Sequence, residues 1–374
     1  MKTYKKKYKS NLDHGQKLWK RANAIILGGN SLLSKNPNLF LPNKWPTYFS
    51  KSKGCKVWDL NNKVYTDMSL MGVGTNILGY CNSEVDNAVK KAIKKGNLTT
   101  LNCPEEVFLA EKLLSMHPWA GKVKFARTGG EANAIAIRIA RAAAGRDKVA
   151  ICGYHGWQDW YISKTSMNGG VPTEVGDYSH RFAYNDLNAL EALLQELEGK
   201  TACIIMEPTS RIHPKEGYLQ GVRDLADKYQ VVLIFDEVVT GFRFHRGGYQ
   251  SVCGVTPDLA CFSKAMGNGV PIAALVGKRD VMEKCPEIFY SLTFAGETLS
   301  LAASKAVMEV IDEENVPRVI EKNGQYFLDE MNDQISKHGL QDVVVVEGYP
   351  CRSVMIFQDT NEVPATDTRT YWIQ

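Results

Sequence analysis

Several things are missing from this 374-residue chain, and each absence removes a class of protein. No apolar run approaches the length of a membrane span. The lysine-rich start (Lys2, Lys5, Lys6, Lys7, Lys9) gives way to polar residues rather than to the apolar core of a signal peptide. A soluble, cytoplasmic protein is expected. The nine cysteines are odd in number and contain no CxxC pair, so neither a disulfide framework nor a zinc site is indicated. Reduced, mostly buried thiols are expected, and no metal role is expected for His155. Charge of one sign is also scarce: 45 basic against 41 acidic residues give a net +4, too mild to imply a nucleic-acid partner. The basic start reads as a solvated terminus or as a short basic arm. There is no internal repeat, no low-complexity linker, and no GxGxxG directly after a strand of the kind a dinucleotide-binding oxidoreductase would need.

What remains is ordinary globular composition, 44% apolar and 23% charged, with enough length for a large core and two lobes. The pattern predicts a helix over 14–27 and a hairpin around Asn61 and Asn62. A helix over 83–95 opened by Ser83 is also predicted. From residue 104, helices (104–116, 131–144, 186–198, 221–229) alternate with short apolar strands (122–126, 147–152, 201–206, 231–236, 258–262, 272–276). Alternation of this kind specifies an α/β fold with a mainly parallel central sheet covered by helices. A further helical run spans 299–311. Past residue 312 comes a long helix to about 337, then apolar runs at 343–346 and 353–357. The expected division is 1–68 and 312–374 as parts of a small α+β lobe, with 69–311 as the large domain. The last residues, Asp367 to Gln374, open a helix that stops after about two turns. The chain is therefore expected to continue, or to be a fragment.

Chemistry collects where the strands end. The run Val231 to Phe235 delivers Asp236, and the run Asp258 to Ser263 delivers Lys264. In open α/β sheets the carboxyl ends of strands are where ligands bind. The pair reads either as a structural ion pair or as the acid and amine that pyridoxal phosphate needs for its ring nitrogen and its Schiff base. Between strand 122–126 and its helix lie Arg127, Thr128, Gly129, Gly130 and Glu131. Thr128 and Glu131 have capping-box spacing, and two glycines at a helix N-terminus suit either a phosphate cup or a plain capped turn. Tyr154, His155 and Gly156 follow strand 147–152, where an aromatic face can stack on a planar ring or simply pack a turn. Glu207 ends strand 201–206. A glycine turn leads through Glu297 to Thr298 before the next helix. Taken together, these strand ends supply a phosphate cup, a stacking ring, a carboxylate and a lysine.

The same residues carry a family resemblance. The motifs are Gly28-Gly29-Asn30, Val57-Trp58-Asp59, Thr128-Gly129-Gly130-Glu131-Ala132, Tyr154-His155-Gly156, Glu207-Pro208, Phe235-Asp236-Glu237-Val238, Thr240-Gly241-Phe242-Arg243, Pro257-Asp258, Ser263-Lys264 and Gly267-Asn268-Gly269-Val270-Pro271. The chain resembles a class III, fold type I pyridoxal-phosphate aminotransferase over roughly residues 15–360, nearest the glutamate-1-semialdehyde 2,1-aminomutase branch. The resemblance implies that Lys264 carries the Schiff base and shuttles protons, while Asp236 holds the ring nitrogen protonated. It implies phosphate contacts from Thr128, Gly129 and Gly130, with ring contacts from Tyr154 and Val238. Glu207 would be a supporting acid. Thr298 would reach the phosphate of a neighbouring subunit, in a homodimer with shared sites. Gly130 stands where the aminomutases commonly have a hydroxyl residue, and Arg127 where a small polar residue is usual. The segment from Thr209 to His213 also departs from the aminomutase pattern. Arg127, Arg211 and His155 are candidate substrate contacts, since arginine suits carboxylate and phosphate. The expected reaction is transfer of an amino group from a small-molecule donor to a keto or aldehyde acceptor. The alternatives are intramolecular amine transfer, as in the aminomutase, and a non-catalytic binding module.

Overall fold

A computed structural model describes residues 13–68, 71–284, 286, 288–360 and 363–373. The basic arm at the start lies outside the described residues.

The centre is a seven-stranded sheet of β4 (Lys122–Ala126), β5 (Lys148–Cys152), β6 (Ser179–Arg181), β7 (Thr201–Met206), β8 (Val232–Asp236), β9 (Leu259–Phe262) and β10 (Ala273–Gly277). Their spatial order is β4-β10-β9-β8-β7-β5-β6. Strands β6, β5, β7, β8 and β9 pair in parallel, and β10 runs antiparallel to both β9 and β4. Because β10 reverses direction between them, β4 points the same way as β9. The carboxyl ends of β4, β5, β7, β8 and β9 therefore share one rim.

Alternation along each strand divides the sheet between two cores. Ile205, Val232 and Ile234 face the alanine- and isoleucine-rich helix Gly129–Ala144. Ile204, Leu233 and Phe235 face the helices Leu187–Glu196 and Tyr218–Lys228. Every residue of β7 and β8 is buried, as expected for interior parallel strands. A third core joins the helices Glu105–Met116 and Thr298–Glu313 to Phe242 and Phe262.

Outside this sheet, β1 (Phe49–Lys53), β2 (Lys56–Asp59) and β3 (Val64–Thr66) form an antiparallel meander. Its turn is held by Asp59 Oδ1, which accepts from the amides of Asn61 (2.8 Å) and Lys63 (2.9 Å). The long helix Val316–Lys337 carries a two-stranded hairpin, β11 (Val344–Tyr349) and β12 (Arg352–Phe357). At Gly324 the backbone of Pro350, in the hairpin turn, occupies the space of any side chain.

Some boundaries differ from the sequence reading. The helix Ser83–Ile93 opens at Ser83 as read but ends two residues early, and its cap is Asn82, whose Oδ1 accepts from the amides of Glu84 (3.0 Å) and Val85 (3.3 Å). The helix read as starting at 221 begins at Tyr218, after Gly217. The thiols were expected to be mostly buried; Cys152, Cys203, Cys261 and Cys351 are, whereas Cys55 and Cys81 are exposed. No helix among the described residues is long and apolar enough to cross a membrane.

Candidate active site

Asp236 is the last residue of β8 and is 3% exposed. Its charge is held by three donors. Asn133 Nδ2 lies 2.7 Å and His155 Nδ1 2.8 Å from Oδ2, and the Val238 amide donates to Oδ1 at 3.0 Å. A carboxylate offers about four lone-pair positions. Among the described residues these three donors leave one position, which a protonated ring nitrogen would suit. No salt bridge joins Asp236 to a lysine among the described residues, so the simple ion-pair reading is excluded.

Lys264 stands two residues beyond β9, at the start of a 3-10 turn, with a φ of 43°. A non-glycine residue in the left-handed region is uncommon, and such strain clusters at functional sites. Burial pushes its amine below the usual lysine range, opposed by the charges of Asp236 and Glu207. A desolvated amine is the form that attacks a carbonyl. Asn268, four residues on, ties this turn down: its Oδ1 accepts from the Leu78 amide (2.9 Å) and its Nδ2 donates to Gly79 O (3.0 Å). Arg243 likewise binds Gly74 O at 2.7 Å.

At the end of β4 the capping box is complete. Glu131 Oε2 accepts from the amides of Arg127 and Thr128, both at 2.9 Å, while Thr128 Oγ1 accepts from the Glu131 amide at 3.3 Å. The amides of Gly129 and Gly130 are left as the open donors of the first turn. A Cβ at Gly129 would lie 2.7 Å from both methyls of Val238, so glycine is what lets Val238, two residues past Asp236, close against the cup.

The other expected residues are placed as follows. Tyr154 is 62% exposed, edge-on to Tyr161. Glu207 lies beside Gly153, and burial together with the Asp236 charge pushes its carboxyl up. His155 is 1% exposed, and both ring nitrogens are engaged, Nε2 lying 3.1 Å from Cys152 O. It stands behind Asp236 rather than facing a substrate. Arg127 Nη1 reaches Glu297 Oε1 (3.1 Å) and Pro271 O (3.2 Å), and Nη2 donates to Ala295 O. It is a clip between strand end and loop, with both terminal nitrogens committed and only the buried Nε unpartnered. Arg211 is half exposed and lies 3.9 Å from Glu347. Thr298 donates its hydroxyl to Asn97 O at 2.6 Å.

Asn133 and Arg352 were not singled out from the sequence. Asn133 had a signal: a polar residue on the buried face of a helix otherwise built of alanine and isoleucine. Arg352 begins β12, with Nη2 3.9 Å from Glu207 Oε2 and Nη1 donating to Thr209 O at 3.3 Å. Beside it Tyr349 shares hydroxyl contacts with Thr209 (2.9 Å) and Tyr249 (3.1 Å). Among the described residues no three His, Cys, Asp or Glu side chains gather to hold a metal ion.

Residues 42–361 match the profile of the class-III aminotransferases, and the chain belongs to that family. It is 36% identical to 3-aminobutyryl-CoA aminotransferase of Cloacimonas acidaminovorans, over 89% of this chain and 81% of that protein. It is 33% identical to glutamate-1-semialdehyde 2,1-aminomutase of Syntrophobacter fumaroxidans, over 88% and 79% respectively. Among solved structures it superposes on the FumI protein of Sphingopyxis sp. MTA144, in its PLP internal aldimine form, with a TM-score of 0.86 at 25% identity, covering 92% of this chain and 83% of that one. An omega-transaminase from Sphaerobacter thermophilus gives a TM-score of 0.82 at 26% identity, over 95% and 84%. The fold is that of the type I pyridoxal-phosphate transaminases, and pyridoxal phosphate is the cofactor.

Proposed function

We propose that this enzyme moves an amino group from an anionic amino donor to a keto or aldehyde acceptor, with the chemistry centred on Lys264 and Asp236. The observation that carries this is Asp236 itself: a buried carboxylate with three donors in place and one lone-pair position left. Bound pyridoxal phosphate supplies the electron sink that makes the donor's carbon–hydrogen bond acidic. The amides of Gly129 and Gly130, with Thr128, would hold its phosphate. Asp236 would keep the ring nitrogen protonated, with Asn133 and His155 fixing the carboxylate. Val238 and Tyr154 would bound the ring, and Glu207 would be a supporting acid. Lys264 Nζ takes the proton from the substrate carbon and returns it, a role that its depressed basicity suits.

Substrate recognition falls to Arg352 rather than to Arg127 or Arg211. A tight guanidinium–carboxylate pair sits at about 2.7–2.9 Å, whereas Arg352 stands 3.9 Å from Glu207 and keeps unused donors at the rim. Its position supports residues 312–374 and 1–68 as small-lobe segments around a cofactor-binding unit of 69–311. The family resemblance supports a cytoplasmic homodimer in which Thr298 serves the neighbouring site. Exposed Leu101, Phe289 and Phe294 are apolar surface that such an interface would cover.

Absorbance tests the reading. The purified enzyme should show a yellow band that shifts on adding an amino donor and is lost in Lys264→Ala. Protein that stays colourless with excess pyridoxal phosphate would overturn it. Release of a keto product from the donor alone marks transfer, whereas isomerisation with no second substrate marks the aminomutase reaction.

A further inference from the structure

We infer that Gln158 is a ligand of the cofactor phosphate, supplying from a neighbouring loop the polar group that residue 130 lacks. This rests on the reading that the Gly129–Gly130 turn holds the phosphate.

Gly130 has no left-handed φ, so its backbone does not demand glycine. What fills its side-chain space is the carboxamide of Gln158. A Cβ at Gly130 would lie 2.5 Å from Nε2, 2.5 Å from Oε1 and 2.9 Å from Cδ. The same carboxamide rests against Gly156, where a Cβ would lie 2.6 Å from Oε1. It is therefore held between two glycines, at the mouth of the helix whose first amides are open. The loop fixes its root: the Gln158 carbonyl accepts from the amides of Tyr161 (2.9 Å) and Ile162 (3.0 Å).

Gln158 Oε1 is buried and has no hydrogen-bond partner. A buried polar atom without a partner points to a missing ligand or water. The two ends of a carboxamide exchange places when the group turns by 180°, with no movement of the other heavy atoms. Both ends lie equally near Gly130, so that turn puts an N–H donor at the cup. Arg127, the neighbouring cation, spends both terminal nitrogens on Glu297, Pro271 and Ala295, which leaves only its buried Nε. The cup then has two backbone donors, one hydroxyl and one carboxamide around an anion.

Phosphate specificity provides the test. Protein stripped of cofactor is titrated with pyridoxal phosphate and with pyridoxal, which lacks the phosphate, following the Lys264-dependent absorbance. Gln158→Ala should weaken pyridoxal phosphate about tenfold or more, the scale of a hydrogen bond to a charged group, and leave pyridoxal within about twofold. Gln158→Glu, nearly isosteric but negative, should weaken pyridoxal phosphate further still. Adding Gly130→Ser to Gln158→Ala should recover affinity, because a hydroxyl then occupies the vacated space. Equal losses for both compounds in Gln158→Ala would mean packing only, and no loss for either would mean no contact; each overturns the inference. Wild-type protein that takes up pyridoxal but not pyridoxal phosphate with higher affinity would instead overturn the phosphate-cup reading beneath it.

Discussion

The pair of strands β8 and β9 has one buried aspartate at each rim, Asp236 closing β8 and Asp258 just before β9, and the two rims behave differently. At the carboxyl rim Asp236 is held by uncharged amides and one imidazole, while Lys264 stands apart from it. At the opposite rim Asp258 is ion-paired with two cations. Its Oδ2 accepts from Arg223 (3.0 Å) and the Leu233 amide (2.7 Å), and its Oδ1 from Lys278 (2.7 Å). The ingredients are alike, an acid and a lysine on adjacent strands. The difference is in the partners. Asp258 is answered by Arg223 and Lys278 and closes a network that holds the sheet together. Among the described residues no lysine or arginine pairs with Asp236, and Lys264 keeps a desolvated amine. A depression of ≈ 400 Å³ lies at the Asp258 end, lined by Arg223, Asp227 and Lys284, so volume does not locate the chemistry here.

The largest expected effect is at the rim where acid and lysine are not paired. Lys264→Ala should lower kcat by about 10²–10⁴-fold with little change in the unfolding midpoint, as read by turnover and thermal melting. A normal melt with normal turnover would erase the distinction between the rims. Asp258→Ala should do the reverse. Stranding Arg223 and an amide in a nearly buried site costs about 3–5 kcal/mol, measured by urea unfolding, while turnover per folded molecule holds.

Buried His117 belongs to neither rim and calibrates the comparison. Burial lowers its pKa to about 4, against 6.5 when unfolded. The unfolded chain therefore gains a proton first as pH falls. The contribution of His117 is fully present above pH 6.5 and is lost progressively towards pH 4, about 3 kcal/mol in all. Unfolding curves at stepped pH should lose this slope in His117→Phe. Next, Asn133→Ala removes one of the three donors on Asp236. Cofactor affinity should fall about 10–100-fold, the scale of a hydrogen bond to a charged group, checked by titrating stripped protein. The smallest effect belongs to Lys278→Ala. That lysine is 40% exposed, so the change should cost at most about 1 kcal/mol of stability and leave kcat within about twofold.

The same contrast explains what could be read from the sequence. Strands such as Thr201–Met206 announced themselves because both faces are buried and the run is continuously apolar. Ser179–Arg181 did not: three residues with a polar sequence join the sheet edge only by pairing with β5. Phe49–Lys53 is mostly exposed and carries no clear alternation in burial. Asp236 and Lys264 were legible because each follows directly from an apolar strand. Their supports were not, since Asn133 and His155 lie 103 and 81 residues from Asp236 along the chain. From the sequence, Arg127 is a candidate substrate contact or an ion-pair partner. Its partner Glu297 is 170 residues away, and only folding shows that the charge is already answered.

Gly324 gives this arrangement an unexpected reach. It sits on a helix with no chemistry of its own, yet the hairpin turn that carries Arg352 rests directly on its α-carbon. Any side chain there must lift the turn, and Arg352 with it, away from Glu207 and Thr209. A position that would pass for neutral helix surface is thereby bound to the placing of Arg352. The helix Val316–Lys337 thus sets the place of Arg352 through a residue that has no side chain at all.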